Sequence, residues 1–175
     1  MKLNYYMELM TILKSKWFLF VEIPLIILFI LALTGQKSVH AEITINAKPQ
    51  QVWNVLLDIE SYPDWNSVLV PINGEFVEGT TVGYMFYQDE NTESLIPSKV
   101  KKMIDNQLLN QGGGMIGILT YNHKYLLQVV PEGTKIIIHE GYKGIGVHFW
   151  NPAPVEKAYK RLCSQIKQRV ETLNE

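Results

Sequence analysis

The hydrophobic and polar positions between residues 42 and 66 predict a strand, a helix and a turn in succession. Polar and apolar residues alternate in Glu42–Ala47, which is the period of a strand with one buried face. Pro49 suits the first turn of a helix, and four apolar residues after it share one helical face: Val52, Trp53, Leu56 and Leu57. This helix ends near Asp58, and the proline-bent Tyr62–Asn66 carries two aromatic rings that can pin it to the core.

From Val68 onward the pattern predicts consecutive strands closed by one long helix. Short connections make the strands antiparallel, and their predicted ranges are Val68–Ile72, Glu75–Val77, Val82–Gln88, Pro97–Ile104, Gln107–Gln111, Tyr121–Val130 and Thr134–Tyr142. After Asn151–Pro154, apolar residues recur at steps of three and four, as in an amphipathic helix: Val155, Tyr159, Leu162, Cys163, Ile166, Val170 and Leu173. The predicted fold class is α+β.

The last two strands predict a hairpin whose side chains sort into two faces. With Pro131–Thr134 as a tight turn, Tyr125 lies opposite Glu140 and His123 lies opposite Tyr142. These four residues then share the apolar face, while the other face is polar and carries Lys124, Gln128, Lys135 and His139. A carboxyl group on the apolar face needs a partner or must stay protonated. By the same alternation, Tyr84 and Phe86 share a face with Val82.

The order and spacing of these features resemble the START-like superfamily of hydrophobic-ligand-binding domains, also called SRPBCC, in its polyketide cyclase and dehydrase branch. The resemblance covers roughly residues 42–175. The residues that carry it are Ile43–Ala47, Pro49, Val52, Trp53, Leu56, Asp58, Tyr62, Trp65, Asn66, Gly74, Gly79, Gly112–Gly114, His123, Tyr125, Gly133, Thr134, Glu140, Tyr142 and Gly144.

This resemblance implies a helix-grip fold, in which a curved antiparallel sheet wraps around a long carboxy-terminal helix and leaves a cavity between them. A polar patch in that cavity would orient the polar end of a hydrophobic small molecule or lipid. The expected ligand-binding residues are Tyr84, Phe86, His123, Tyr125, Glu140 and Tyr142. In the alternative interpretation of the patch, Glu140 bonds Tyr125 or backbone amides and serves only the fold.

Two other functions stay open. The first is an enzyme of the cyclase or dehydratase kind, in which a cavity Tyr, His or Glu acts as general acid or base. The second is an interaction module with a collapsed cavity. No residue is assigned a catalytic role, and a Ser, His and Asp arrangement for nucleophilic attack is not indicated by any motif.

The segment before the domain, residues 1–36, is predicted to be a single-pass membrane anchor. Trp17–Leu33 is strongly apolar, and about a dozen apolar residues outweigh the roughly 2.5–3.5 kcal/mol cost of placing Glu22 in a bilayer. A cleaved signal peptide is the alternative, because Val39–Ala41 fits a cleavage site. The lysines before the segment outnumber those after it, which predicts that the domain, residues 42–175, lies on the extracytoplasmic side.

The composition of the chain limits which partners and cofactors are expected. A formal net charge of -1 and a pI near 6.4 give no general attraction to phosphate, so nucleic acid is not an expected partner. The single Cys163 excludes an internal disulfide, and the four histidines have no metal-ligand spacing, so neither a metal nor another cofactor is expected. Gly112–Gly114 lacks the following Lys of a phosphate-binding loop. We expect a monomer that binds a hydrophobic small molecule or lipid at a membrane.

Overall fold

Seven antiparallel strands form one curved sheet in the computed structural model, which describes residues 16–174 and the side chains from Phe20 onward. The helices are α1 (Lys16–Thr34), α2 (Pro49–Leu57), α3 (Tyr62–Trp65) and α4 (Ala153–Thr172), with short 3-10 segments at Ile59–Ser61 and Ile145–Phe149. The strands are β1 (Gln36–Ile45), β2 (Leu69–Asn73), β3 (Thr81–Asp89), β4 (Thr92–Ile104), β5 (Leu108–Met115), β6 (Leu119–Val130) and β7 (Gly133–Lys143). Their order in the sheet is β1-β7-β6-β5-β4-β3-β2. The predicted α+β helix-grip fold is confirmed.

The core lies between the inner face of the sheet and helix α4. Six of the seven apolar residues predicted for this helix are buried, and Ala158 joins them. Leu173 was predicted on the same stripe but is 58% exposed, because α4 ends at Thr172. Burial of each such side chain stabilises the fold by roughly 1.5–3 kcal/mol, which makes α4 a major source of stability.

The segment Tyr62–Asn66, predicted as a turn, contains the short helix α3, and its two aromatic rings pack together. The rings of Tyr62 and Trp65 are 4.9 Å apart, and the Tyr62 hydroxyl donates to the carbonyl of Leu56 at 2.7 Å. Buried Asn66 accepts from the backbone N–H groups of Val68 and Leu69 through Oδ1 and donates to the carbonyl of Leu69. These bonds fix the point at which the chain enters β2.

Several strand bounds differ from the prediction. Strand β1 begins at Gln36 rather than Glu42, because it pairs along β7 as far as Lys143. The predicted strand Glu75–Val77 is a turn, in which the Thr80 hydroxyl donates to the carbonyls of Glu75 and Val77. Strand β5 continues beyond its predicted end at Gln111, through the glycine cluster, to Met115. Neighbouring chain segments approach Gly112–Gly114 so closely that a Cβ atom would not fit there, which explains the glycines.

The predicted register of the β6–β7 hairpin is wrong by two residues. Val130 pairs with Gly133, so that Pro131 and Glu132 alone form the turn. His123 therefore pairs with Glu140, and Tyr125 pairs with Ile138. A shift of two leaves every side chain on its expected face. His123, Tyr125, Glu140 and Tyr142 accordingly point into the core, as predicted.

Helix α1 meets the domain at one end of the sheet. The backbone N–H of Gly144 donates to the carbonyl of Gly35 at 3.0 Å, and Nε2 of His148 lies 3.0 Å from the carbonyl oxygen of Leu31. None of the described helices combines the length and the apolar character that a bilayer crossing requires. The anchor predicted for residues 1–36 lies partly outside this range, since residues 1–15 are not described.

Candidate functional site

A buried carboxyl group, that of Glu140 on β7, joins the sheet to helix α4. Its Oε2 atom lies 2.9 Å from Nδ1 of His123 on β6 and accepts a hydrogen bond from the hydroxyl of Tyr159 on α4. All three residues are at least 95% buried. The interpretation in which Glu140 serves only the fold named Tyr125 or backbone amides as its partners. In the structure the partners of Glu140 are His123 and Tyr159 instead.

The local sequence explains why these groups meet. Glu140 and His123 are cross-strand neighbours in the β6–β7 register, and both fall on the inward face of their strands. Tyr159 belongs to the buried stripe of α4, which places its hydroxyl over the same part of the sheet. The ring of His123 also packs edge-on against Tyr159, with centroids 5.2 Å apart.

Buried hydroxyl groups surround the carboxyl group. Burial raises the pKa of Tyr142 and of Tyr159 far above the usual range, and the negative charge of Glu140 raises both further. Burial also raises the pKa of Tyr121 to about 12, with a smaller contribution from Glu140. These tyrosines stay neutral near pH 7, so they act as hydrogen-bonding groups rather than as anions.

Two cavities adjoin this network. The inner one, of about 20 Å³, contacts Tyr84, Gln111, His123, Glu140 and Tyr159. It has room for one water molecule or one hydroxyl group.

The outer cavity, which we call the sheet–helix pocket, has a volume of about 400 Å³, within the range of small-molecule sites. It lies between the inner face of the sheet, Trp150 and the first turns of α4. Its apolar walls come from Phe86, Leu95, Ile96, Leu119, Trp150 and Val155, and its polar groups include Glu140, Tyr142 and Tyr159. Leu95 is 64% exposed, so the pocket is accessible from the surface.

The structure distributes the expected ligand-binding residues over three places. Phe86, Glu140 and Tyr142 line the sheet–helix pocket, and Glu140 also reaches the inner cavity. Tyr84 and His123 line the inner cavity. Tyr125 lines neither cavity and packs edge-on against His123, with ring centroids 4.7 Å apart.

Sequence reasoning missed three residues of the site. Tyr159 was assigned only to the apolar stripe of α4, although a tyrosine among aliphatic residues signals a hydroxyl that needs a partner. Gln111 exchanges hydrogen bonds with the Tyr84 hydroxyl at 2.9 and 3.0 Å, and it carried no signal in the strand pattern. Trp150 follows the 3-10 segment and lines the pocket, packing against Tyr142 with ring centroids 4.5 Å apart.

The hydrogen bond between His123 and Glu140 links the tautomer of the imidazole to the ionisation of the carboxyl group. When Glu140 is ionised, its oxygens accept hydrogen bonds only, so Nδ1 of His123 carries the shared proton. In the neutral ring Nε2 is then an acceptor, and it has no hydrogen-bond partner among the described protein atoms. Because His123 lines the inner cavity, a hydroxyl group placed within reach of this buried atom could donate a hydrogen bond to it.

The described residues do not bring together three or more His, Cys, Asp or Glu side chains that could hold a metal ion. The polar network around Glu140 has one carboxyl group and one imidazole, with tyrosine hydroxyls and an amide as its other members. These groups can donate and accept hydrogen bonds and can exchange protons.

Comparison with solved structures shows the same fold in proteins of low sequence identity. A protein of unknown function from Staphylococcus aureus, SA2116, is 12% identical, with a TM-score of 0.61 over 79% of this chain and 96% of that one. TTHA0849 from Thermus thermophilus is 14% identical, with a TM-score of 0.64 over 79% and 100%. The di-domain ARO/CYC protein BexL from the BE-7585A biosynthetic pathway is 8% identical, with a TM-score of 0.63 over 78% of this chain and 50% of that one.

No match was found among curated proteins. The sequence profile of one family, described as polyketide cyclase / dehydrase and lipid transport, matches residues 36–171. That match spans the whole sheet and most of α4, including every residue of the Glu140 network. The chain belongs to the polyketide cyclase / dehydrase and lipid transport family.

Proposed function

We propose that the domain binds a neutral hydrophobic small molecule or lipid in the sheet–helix pocket, with helix α1 holding it at a membrane. The observation that carries the binding proposal is the pocket itself, a surface-accessible space of about 400 Å³ with mostly apolar walls and a polar group at one side. The fold is that of a ligand-binding domain, and the family description includes lipid transport.

The charge of the pocket selects among hydrophobic ligands. Its described lining residues include the carboxyl group of Glu140 and neither Lys nor Arg. An anionic headgroup or a fatty-acid carboxylate would therefore be repelled, while a hydroxyl group could donate to an oxygen of Glu140 or to Nε2 of His123. The proposed ligand is uncharged, and its polar end donates hydrogen bonds.

Helix α1 supports the membrane part of the proposal. Between Phe20 and Leu33 all its large apolar side chains except Leu31 are about half exposed or more, which suits a lipid surrounding better than one protein partner. An extracytoplasmic location of the domain stays a prediction from the lysine distribution around this segment.

A cyclase or dehydratase activity is the second candidate, and one observation favours it. His123 lines the inner cavity, its Nδ1 faces Glu140, and its Nε2 has no hydrogen-bond partner among the described protein atoms, which is the arrangement of a general base that a carboxylate orients. The inner cavity holds no more than about one small group, so a substrate would have to place its reacting end there while its body occupied the outer pocket.

The proposed binding is tested with a substitution that adds a bulky side chain to one wall of the sheet–helix pocket. Ile96 faces the pocket from β4, and Ile96→Phe adds bulk inside it. Ile137→Phe is the matched control, because Ile137 is half-buried on the opposite face of β7. The full-length parent and both variants are purified from cells, and neutral molecules that copurify are identified by mass spectrometry. Binding of Nile red, a neutral apolar dye, is measured by fluorescence.

We expect the parent and Ile137→Phe to carry the same neutral hydrophobic molecule and to bind Nile red equally. Ile96→Phe should lose the copurified molecule and bind the dye at least several-fold more weakly. Equal binding by all three proteins would show that ligands do not occupy the sheet–helix pocket, and would favour the interaction module with a collapsed cavity.

A further inference from the structure

The turn between β5 and β6 exposes large apolar side chains at its tip. Met115 is 62% exposed, Ile116 92% and Ile118 53%, and Gly117 between the last two has a φ of 82° that suits a tight turn. Turn tips in water usually carry Gly, Asn, Asp, Ser or Pro. Ile116 is the most exposed large apolar side chain among the described residues.

This tip, Met115–Ile118, belongs to a larger apolar surface that includes helix α1. The backbone N–H groups of Ile145 and Gly146 donate to the carbonyls of Gly117 and Ile118, which ties the tip to the 3-10 segment Ile145–Phe149. Phe149 at the end of that segment is 81% exposed. The neighbouring His148 lies against the carbonyl of Leu31, in the last turns of α1. The tip, Phe149 and the end of α1 are therefore joined at one end of the sheet.

The sheet–helix pocket opens beside the same surface. Gly114 and Leu119, the residues that flank the tip, both line the pocket. Trp150, which follows Phe149, lines it as well. A molecule entering the pocket on this side passes between apolar side chains that face away from the core.

Charges of both signs lie near this end of the sheet. Lys37, Lys101 and Lys143 border a cleft together with Ile116, while Asp89, Glu90 and Glu93 lie around the β3–β4 turn. Since the tip itself carries no charge, its insertion is expected to depend on apolar burial, for which zwitterionic lipid is sufficient.

From these observations we infer that the tip Met115–Ile118 and Phe149 insert into the lipid bilayer beside α1, so that the pocket exchanges its ligand directly with the membrane. The inference rests on the proposed membrane attachment through α1. A bilayer fits the surface better than a second copy of the chain, since α1 exposes large apolar side chains along most of its length and runs directly into this surface.

The experiment places a reporter at the tip of the full-length chain. Cys163 is buried, and burial raises the pKa of its thiol to about 12, so an added exposed cysteine reacts selectively. Ile116→Cys is labelled with an environment-sensitive fluorophore, and the protein is reconstituted in phosphatidylcholine vesicles. Phe149→Cys provides a second reporter, and Glu132→Cys in the β6–β7 turn, at the opposite end of the sheet, is the control.

We expect blue-shifted emission and quenching by lipid-borne spin labels at positions 116 and 149, and neither at position 132, with no requirement for anionic lipid. Vesicle-bound protein whose labels at 116 and 149 stay in water would overturn the insertion while leaving the attachment through α1 standing. Protein that does not sediment with vesicles at all would overturn both. A blue shift without quenching by lipid-borne labels would show that a second protein surface covers the tip, which also overturns the inference.

Discussion

The hydroxyl of Tyr159 on helix α4 donates a hydrogen bond to the carboxyl group of Glu140 on strand β7, in the buried space between helix and sheet. The same oxygen lies 2.9 Å from Nδ1 of His123, so one acceptor atom serves two donors from different elements. Because the site is at least 95% buried, water does not replace a lost partner easily. The contact that borders the pocket therefore also holds the closing helix against the sheet.

The first prediction concerns the stability contributed by this contact. Tyr159→Phe removes a hydrogen bond to a carboxylate and should lower the free energy of unfolding by about 1.5–3 kcal/mol. Tyr62→Phe is the matched control, because the equally buried Tyr62 hydroxyl donates to a neutral carbonyl and its loss should cost about 0.5–1.5 kcal/mol. Urea unfolding of both variants checks the difference. A Tyr159→Phe variant as stable as the parent would show that the contact does not form in solution.

The sequence predicted the strand faces of Glu140 and His123 but not the contact between them. The period-two pattern placed Glu140 and His123 on the inward face of their strands, because parity survives any even shift of register. It could not show that they are direct cross-strand partners, since the choice between a two-residue and a longer turn at Pro131–Gly133 is a local matter of backbone geometry. The sequence therefore predicted which face of the sheet these two residues occupy, but not that they pair with each other.

Long-range contacts account for most of what was missed. The helical pattern identified Tyr159 as buried, but nothing local indicates that its hydroxyl meets a strand residue 19 positions away. Gln111 likewise acquires its role only through Tyr84, which is 27 residues distant along the chain. The fold class followed from short-range periodicity and from the family resemblance, whereas the site depends on how α4 crosses the sheet.

A second prediction tests the junction between α1 and the domain. A Cβ atom at Gly35 would lie 2.0 Å from the carbonyl oxygen of Gly144, so Gly35→Ala must displace backbone and break the bond between these two residues. We expect a loss of about 1–3 kcal/mol in unfolding free energy. Gly141→Ala is the control, since a Cβ there meets no atom within 4 Å and the change should stay within about 0.5 kcal/mol. Thermal melts that move equally for both variants would contradict the close approach.

The third prediction is a loss of stability in alkali. Burial raises the pKa of Tyr121 to about 12 and that of Tyr84, Tyr142 and Tyr159 still further. In the unfolded chain these phenols ionise near pH 10, so above that pH the unfolded state releases protons that the folded state retains. Stability should be fully present below about pH 10 and fall as the pH rises toward 12 and beyond.

Denaturant unfolding between neutral pH and about pH 11 measures this fall, and tyrosinate absorbance follows the ionisation itself. Tyr121→Phe should make the decline less steep, because it removes one of the groups with a raised pKa. If most tyrosines of the folded protein ionised near pH 10 without unfolding, the buried positions of these hydroxyls would be wrong.

The last prediction concerns the charge of the ligand. A carboxylate bound about 6–8 Å from Glu140 would be repelled by about 2–3 kcal/mol at an effective dielectric constant near 20, which corresponds to roughly 30- to 150-fold in affinity. The parent should therefore bind dodecanol far more tightly than dodecanoate at neutral pH, and the difference should shrink as the acid becomes protonated at lower pH. Glu140→Gln keeps the shape of the side chain and removes its charge, so it should recover most of the affinity for dodecanoate and change that for dodecanol much less. Competition with Nile red measures all four affinities, and Tyr159→Phe serves as a control that alters the same network without removing the charge. If dodecanoate bound the parent as well as dodecanol did, Glu140 would not set the charge of the pocket, and the preference for a neutral ligand would be wrong even if binding in the pocket were real.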